Sequence, residues 1–181
     1  MTDPTPDPPA ETTPPHPDIP PDWARALDEL AGSACRRILL LGAVDRGKST
    51  FARLLLRRLG EAGQSPALVD ADIGQKDVGP PATITSARAL PDEPDGLYFV
   101  GAVDVGRHLL PQVVGTRRLV EQSGEGPVVI NTPGMIHGVG RVLQGYQLES
   151  LRPDAVVTLE RENAGGPVLV GHRIHRLHRL P

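Results

Sequence analysis

The sequence predicts an α/β domain in which a parallel sheet is covered by helices on both faces, and three observations carry that expectation. Short continuous apolar runs alternate with segments of helical periodicity. The first run passes through a glycine-rich turn directly into a helical segment. Only 3% of the residues are aromatic, so the core must be built from Leu, Val, Ile and Ala, which suits strands buried on both faces.

The elements follow in chain order. Met1–Pro21 holds nine of the 20 prolines and four acidic residues (Asp3, Asp7, Glu11, Asp18), with no Lys or Arg. Such a stretch cannot bury a core and reads as an extended, solvated tail serving as a spacer. Residues 22–181 are expected to fold. Asp22 stands as the N-cap of a short amphipathic helix in which Trp23, Ala26, Leu27 and Leu30 share one face, with Gly32 near its end. Arg36–Gly42 (RRILLLG) is a buried strand, and KSTFARLLLRRLGEAG is a helix that stops at Gly60–Gly63. Pro66–Asp72 and Gly96–Val103 read as the second and third strands. HLLPQVVGTRRLVEQSG reads as a crossover that is only partly helical, interrupted by Pro111. Pro127–Gly134 is the fourth strand, GVGRVLQGYQLESLRP a further helix and Asp154–Arg161 the fifth strand.

Charge and cysteine usage exclude more than they assign. The acidic tail accounts for the chain's net charge of −3, since the remaining acidic residues nearly balance 19 Lys+Arg. Net charge therefore names no partner. A single Cys, Cys35, cannot form an intramolecular disulfide or complete a metal cluster, which points to a reducing compartment. The N-terminus has neither a basic start nor an apolar run of signal length, and no apolar stretch approaches roughly 18 residues. The expectation is a cytoplasmic protein with no membrane contact.

The strongest chemical signal is GAVDRGKST, Gly42 to Thr50, which matches G-x-x-x-x-G-K-[ST] between a buried strand and a helix. Gly42 and Gly47 allow the backbone to turn around phosphate oxygens. The intervening Ala43, Val44, Asp45 and Arg46, followed by Lys48, Ser49 and Thr50, present backbone N–H groups at a helix N-terminus, where an anion is favoured. Lys48, expected to be a solvent-facing loop charge, would reach the β- and γ-phosphates, and the Ser49 hydroxyl would ligate Mg2+. A P-loop NTPase-type sheet that binds a nucleotide follows. In DADIGQ, Asp70 and Asp72 lie two residues apart at a strand end, the edge at which such sheets bind ligands. One carboxylate would accept a proton or organise Mg2+, and Gln75 would orient a nucleophile or metal-bound water; a plain turn-capping role is the alternative. The fourth strand ends in NTPG, with Asn131 where GTPases carry an acidic residue, and no guanine-reading N-K-x-D follows. His108 and His137 read as structural. HRIHRLHR near the C-terminus reads as a solvated basic surface ahead of a phosphate-contacting or metal-binding one.

From about Pro20 to Glu162 these motifs, in this order, resemble the P-loop polynucleotide 5'-hydroxyl kinases. That family includes a subunit of the pre-mRNA 3'-end cleavage factor, a ribosomal-RNA processing kinase and archaeal polyribonucleotide kinases. The likeness is strongest to the archaeal branch, through IPPDW, GAVDRGKST, DADIGQKDVGPPATIT, LYFVGAVDVGRHLLPQVVG, VVINTPGMIHGVG and DAVVTLERE. The resemblance implies transfer of the ATP γ-phosphate to a 5'-hydroxyl of RNA, or sometimes DNA. It implies phosphate and Mg2+ roles for Lys48 and Ser49, a base or metal-organising role for Asp72, and matching positions for Asp45 and Gln75. It also places Asn131 and Thr132 near the γ-phosphate. Two departures stand out. Met135 occupies the position where many members carry a base-stacking Trp, and the chain reaches Pro181 without a recognisable arginine-bearing lid. The domain is thus expected to be C-terminally truncated, with Arg161, Arg173, Arg176 and Arg179 in no matching motif.

The leading expectation is an ATP- and Mg2+-dependent polynucleotide 5'-hydroxyl kinase, RNA preferred, with Lys48 and Asp72 catalytic and Ser49 and Asp72 at the metal. The alternatives are a truncated or degenerate ATP-binding P-loop module without turnover, and a P-loop kinase for another hydroxyl acceptor.

Overall fold

The computed structural model describes residues 19–88 and 93–159, together with the backbone of Val168–Val170. The tail over 1–18, Arg161 and the basic run at 172–179 lie outside the described residues.

Four strands form the centre of the sheet: β1 (Arg37–Gly42), β2 (Ala67–Asp70), β5 (Val128–Asn131) and β6 (Ala155–Leu159). They run parallel in the order β2-β5-β1-β6. Each is buried along its length, as continuous apolar runs require. Alternation splits the core into two layers. Ile38, Leu40, Leu68, Val129 and Val157 point to one face, against α1 (Pro21–Ala31) and α2 (Lys48–Glu61). Leu39, Leu41, Val69, Ile130 and Val156 point to the other, against α3 (Leu109–Gln122) and α4 (Val139–Leu151). The expected parallel core covered on both faces is present.

The sheet is wider and more mixed than the periodicity suggested. Strand β3 (Thr83–Arg88) returns antiparallel beside β2, and β4 (Gly96–Phe99) pairs antiparallel with β3 at the edge. β7 (Val168–Val170) pairs antiparallel with β6 on the opposite side. The expected third strand is thus a short edge strand rather than a parallel one. The physical reason lies in β3: residues 71–82 contain no helix, so the chain does not cross the sheet face but turns back beside β2, and β4 then pairs with β3.

Two local expectations are corrected. Pro20, not Asp22, is the N-cap of α1, with Pro21 in the first helical position, where its missing N–H costs nothing. Asp22 sits in the first turn, where its charge favours the helix N-terminus. Pro111 does not interrupt the crossover: it is the third residue of the continuous helix α3, among the N–H groups that have no intrahelical partner.

Candidate active site at the carboxyl edge of the sheet

The register brings three strand ends together. Leu40 is level with Asn131 across β1 and β5, and Asp70 is level with Asn131 across β2 and β5. Everything that follows these residues emerges at one edge, where parallel α/β sheets hold ligands.

β1 ends at Gly42, where a Cβ would lie 2.7 Å from the Leu159 carbonyl oxygen, so only glycine lets the strand turn here beside β6. The loop closes at Gly47, the N-cap of α2, with φ +80°. No side chain caps this helix end, and Gly47 has none to offer. The first N–H groups of α2 therefore face outward with the positive end of the helix dipole. Trp23 of α1 supports the turn: its ring packs edge-on against Phe51 of α2 at 5.3 Å, and a Cβ on Gly47 would meet its Cη2 at 2.8 Å. Gly134 brings the loop after β5 against the loop after β1, since a Cβ there would come within 2.7 Å of the Val44 nitrogen.

Between these loops lies a cavity of about 300 Å³, lined by residues 45–50, Asp72, Gln75 and Asn131. The sequence-predicted Asp45, Arg46, Gly47, Lys48, Ser49, Thr50, Asp72 and Gln75 are thus assembled. Gly42, Ala43 and Val44 shape the loop without lining the cavity. Thr132 does not line it either: it is buried, and its hydroxyl donates to the Leu40 carbonyl at 2.7 Å. A larger groove of about 840 Å³, lined by Arg37, Tyr146 and Arg152 among others, contains none of the phosphate-loop residues.

Lys48 differs from its expected exposure. It is 7% exposed, and its ammonium donates to the Ala43 carbonyl at 2.9 Å, folded back on its own loop. Burial holds its pKa below the usual lysine value, and the carboxylates of Asp72 and Asp45 work against that shift. Asp72 is 8% exposed and one Oδ accepts from the amides of Gly74 (3.1 Å) and Gln75 (3.0 Å). It therefore caps its turn and lines the cavity at once. Burial pushes its carboxyl above the ordinary value. The Gln75 and Gly74 amides oppose the rise, Asp70 adds to it and Lys48 subtracts from it.

Asp70 has a different job. It is fully buried and does not line the cavity; it accepts from the amides of Asp72, Asp77 and Val78 and pairs with Lys76 at 3.1 Å. His108 precedes α3, its ring nitrogen 3.1 Å from the Asp104 carbonyl, and His137 is exposed. Met135 is 38% exposed on the loop beyond Gly134. Among the described residues no group of His, Cys, Asp and Glu forms a metal cluster, and no helix is long and apolar enough to cross a membrane. Sequence reasoning missed Lys76; its only signal was a lysine placed in a glycine-bounded loop directly after two carboxylates.

The family model described as "mRNA cleavage and polyadenylation factor CLP1 P-loop" matches residues 42–170. The chain belongs to this family. It is 35% identical over 143 residues to the polyribonucleotide 5'-hydroxyl-kinase PH0197 of Pyrococcus horikoshii, covering 74% of this chain and 40% of that protein. It is 37% identical over 144 residues to polyribonucleotide 5'-hydroxyl-kinase PF0112 of Pyrococcus furiosus, covering 75% and 41%. The chain spans less than half the length of these curated relatives. Its fold is similar to that of Clp1p in a Clp1p–Pcf11p complex, with a TM-score of 0.57 at 15% identity, over 78% of this chain and 41% of that one.

Proposed function

We propose that this chain carries the phosphoryl-transfer core of an ATP-dependent polynucleotide 5'-hydroxyl kinase acting on RNA ends, in the cytoplasm. The observation that carries the reading is one cavity that combines an uncapped helix N-terminus, the Lys48 ammonium, the Ser49 hydroxyl and the Asp72 carboxylate. The names of the archaeal relatives supply the class of acceptor.

The residues fit a nucleotide with Mg2+. Backbone N–H groups and Lys48 suit phosphate oxygens, and the Ser49 hydroxyl and Asp72 carboxylate are hard oxygen donors, as Mg2+ prefers. Bound with ATP, the ion would neutralise phosphate charge. The Lys48 ammonium swings from the Ala43 carbonyl to the phosphates. Arg46, on the cavity wall, offsets charge that develops during transfer. Asp72 accepts the proton of the attacking 5'-hydroxyl as the bond from that oxygen to the γ-phosphorus forms. The bond from the γ-phosphorus to the β–γ bridging oxygen breaks, and ADP leaves. A carboxyl raised by burial is a stronger base than a solvated one, provided it is ionised at the working pH.

The test is incubation with γ-labelled ATP and a 5'-hydroxyl oligoribonucleotide, with a DNA oligonucleotide and a nucleoside as competitors. Label on the RNA end supports the proposal. ATP binding with no transfer to any acceptor leaves a binding module and refutes the kinase reading, and preferential labelling of the nucleoside refutes the acceptor.

A further inference from the structure

Four buried side-chain oxygens among the described residues have no hydrogen-bond partner within the protein: those of Gln112, Asn131, Gln144 and Gln147. Only Asn131 lines the phosphate-loop cavity. It is 2% exposed, and its amide nitrogen donates to Asp70 Oδ1 at 3.2 Å. That contact fixes which way the amide points. Asp70 accepts three backbone amides and lies 3.1 Å from the Lys76 ammonium, with the two side chains 1% and 5% exposed. Lys76 also donates to the Asp70 carbonyl at 2.7 Å, so it is held at two points. A carboxylate so surrounded by donors serves as an acceptor on both oxygens, so Asn131 gives it N–H and turns Oδ1 away. An acceptor on the wall of a phosphate site requires a donor. The phosphate oxygens are themselves acceptors, Lys48 and Ser49 are engaged with the phosphates and cation, and the 5'-hydroxyl proton goes to Asp72, which leaves water ordered by the cation as the natural partner.

We propose that Asn131 Oδ1 accepts a hydrogen bond from a water in the hydration shell of the nucleotide's divalent cation, and that Lys76 and Asp70 are positioning residues that lock the amide in that orientation. The inference rests on the nucleotide reading of the cavity and adds a residue to it. The same Asp70 oxygen that holds Asn131 also accepts from the Asp72 amide. One buried ion pair thus sets two walls of the cavity from adjacent strands.

The experiment measures ATP affinity of the whole chain twice, with excess Mg2+ and in EDTA, by calorimetry. The ratio of the two dissociation constants is the benefit conferred by the cation. Asn131→Leu removes the acceptor while keeping size, and is expected to cut that ratio roughly tenfold, the worth of one good hydrogen bond, while ATP affinity in EDTA stays within about twofold. A purely structural role would weaken both measurements together. Lys76→Met alone would strand a buried carboxylate and threaten folding, so the positioning claim uses the neutral pair Lys76→Met with Asp70→Asn. It is expected to lower the ratio in the same direction, because an Asn at position 70 no longer dictates which way the Asn131 amide points. An unchanged ratio in Asn131→Leu, or a change only in the Michaelis constant for the oligonucleotide, overturns the proposal. A normal ratio in the folded double variant overturns the positioning role. Failure of the wild-type chain to bind ATP under either condition overturns the nucleotide reading itself, and the proposal with it.

Discussion

Replacing Lys48 with Met is expected to separate stability from function. In the ligand-free fold the ammonium is 7% exposed and makes one hydrogen bond, 2.9 Å to the Ala43 carbonyl, worth about 1 kcal/mol net. Against this stands the cost of taking a cation out of water, visible in the direction of its pKa shift. Met keeps the length and packing of the stem without the charge, and the Ala43 carbonyl is only partly buried, so water can replace the lost donor. The two contributions nearly cancel, and unfolding free energy should stay within about 1 kcal/mol of wild type or rise slightly. With ATP bound, the same ammonium would make charge-assisted contacts to phosphate worth about 3 kcal/mol together, roughly a hundredfold in affinity. Urea denaturation of the free protein and calorimetric titration with ATP measure the two quantities separately. An ATP dissociation constant within threefold of wild type would refute the phosphate assignment of Lys48. Destabilisation well beyond about 2 kcal/mol would refute the account of its burial.

Three further outcomes are expected. Asp72→Asn should stabilise the free protein at neutral pH, because burial raises the folded-state pKa above the ordinary carboxyl value and penalises the ionised form; the gain should shrink as pH falls through the raised pKa toward the ordinary one, and transfer should drop by about a hundredfold or more, as urea melts across pH and a labelled-ATP assay would show. Trp23→Ala should cost about 2 kcal/mol, since the ring is only partly buried, and raise the ATP dissociation constant roughly fivefold by loosening Gly47, whereas Trp23→Phe should retain most of both. Gly134→Ala should cost about 1–3 kcal/mol by pushing against the Val44 backbone, with weaker ATP binding, measured by the same two titrations.

What was legible in the sequence was whatever one short segment determines by itself. The phosphate loop was legible because its glycines, lysine and serine act through the backbone of a single strand-turn-helix unit. The four parallel strands were legible because burial on both faces removes polar residues from them. The misses share one cause: they depend on what a residue meets from elsewhere in the chain. Thr83-Ile84-Thr85 is β-branched, a strand signal, yet its antiparallel direction is set by the unhelical connection before it. Lys48 is buried with its ammonium folded back on the Ala43 carbonyl and near the Asp72 carboxylate of another loop, a conformation its motif does not announce. Thr132 stands next to Asn131, but strand alternation sends their side chains to different partners, one to the Leu40 carbonyl and one to Asp70 and the cavity.

The two aspartates show how pairing across strands decides chemistry. From the spacing alone Asp70 and Asp72 were equivalent candidates. β2 ends at Asp70, whose carboxylate is used up by backbone amides, Asn131 and Lys76. Asp72 lies beyond the strand, keeps one oxygen clear of the turn it caps, and lines the cavity. The Asp70 oxygens are occupied by donors and lie off the cavity, whereas burial raises the Asp72 carboxyl, which lines it. The division of labour follows from this difference. Asp70 organises the edge of the sheet, and Asp72 is the carboxylate that faces the cavity, as the proposed base must.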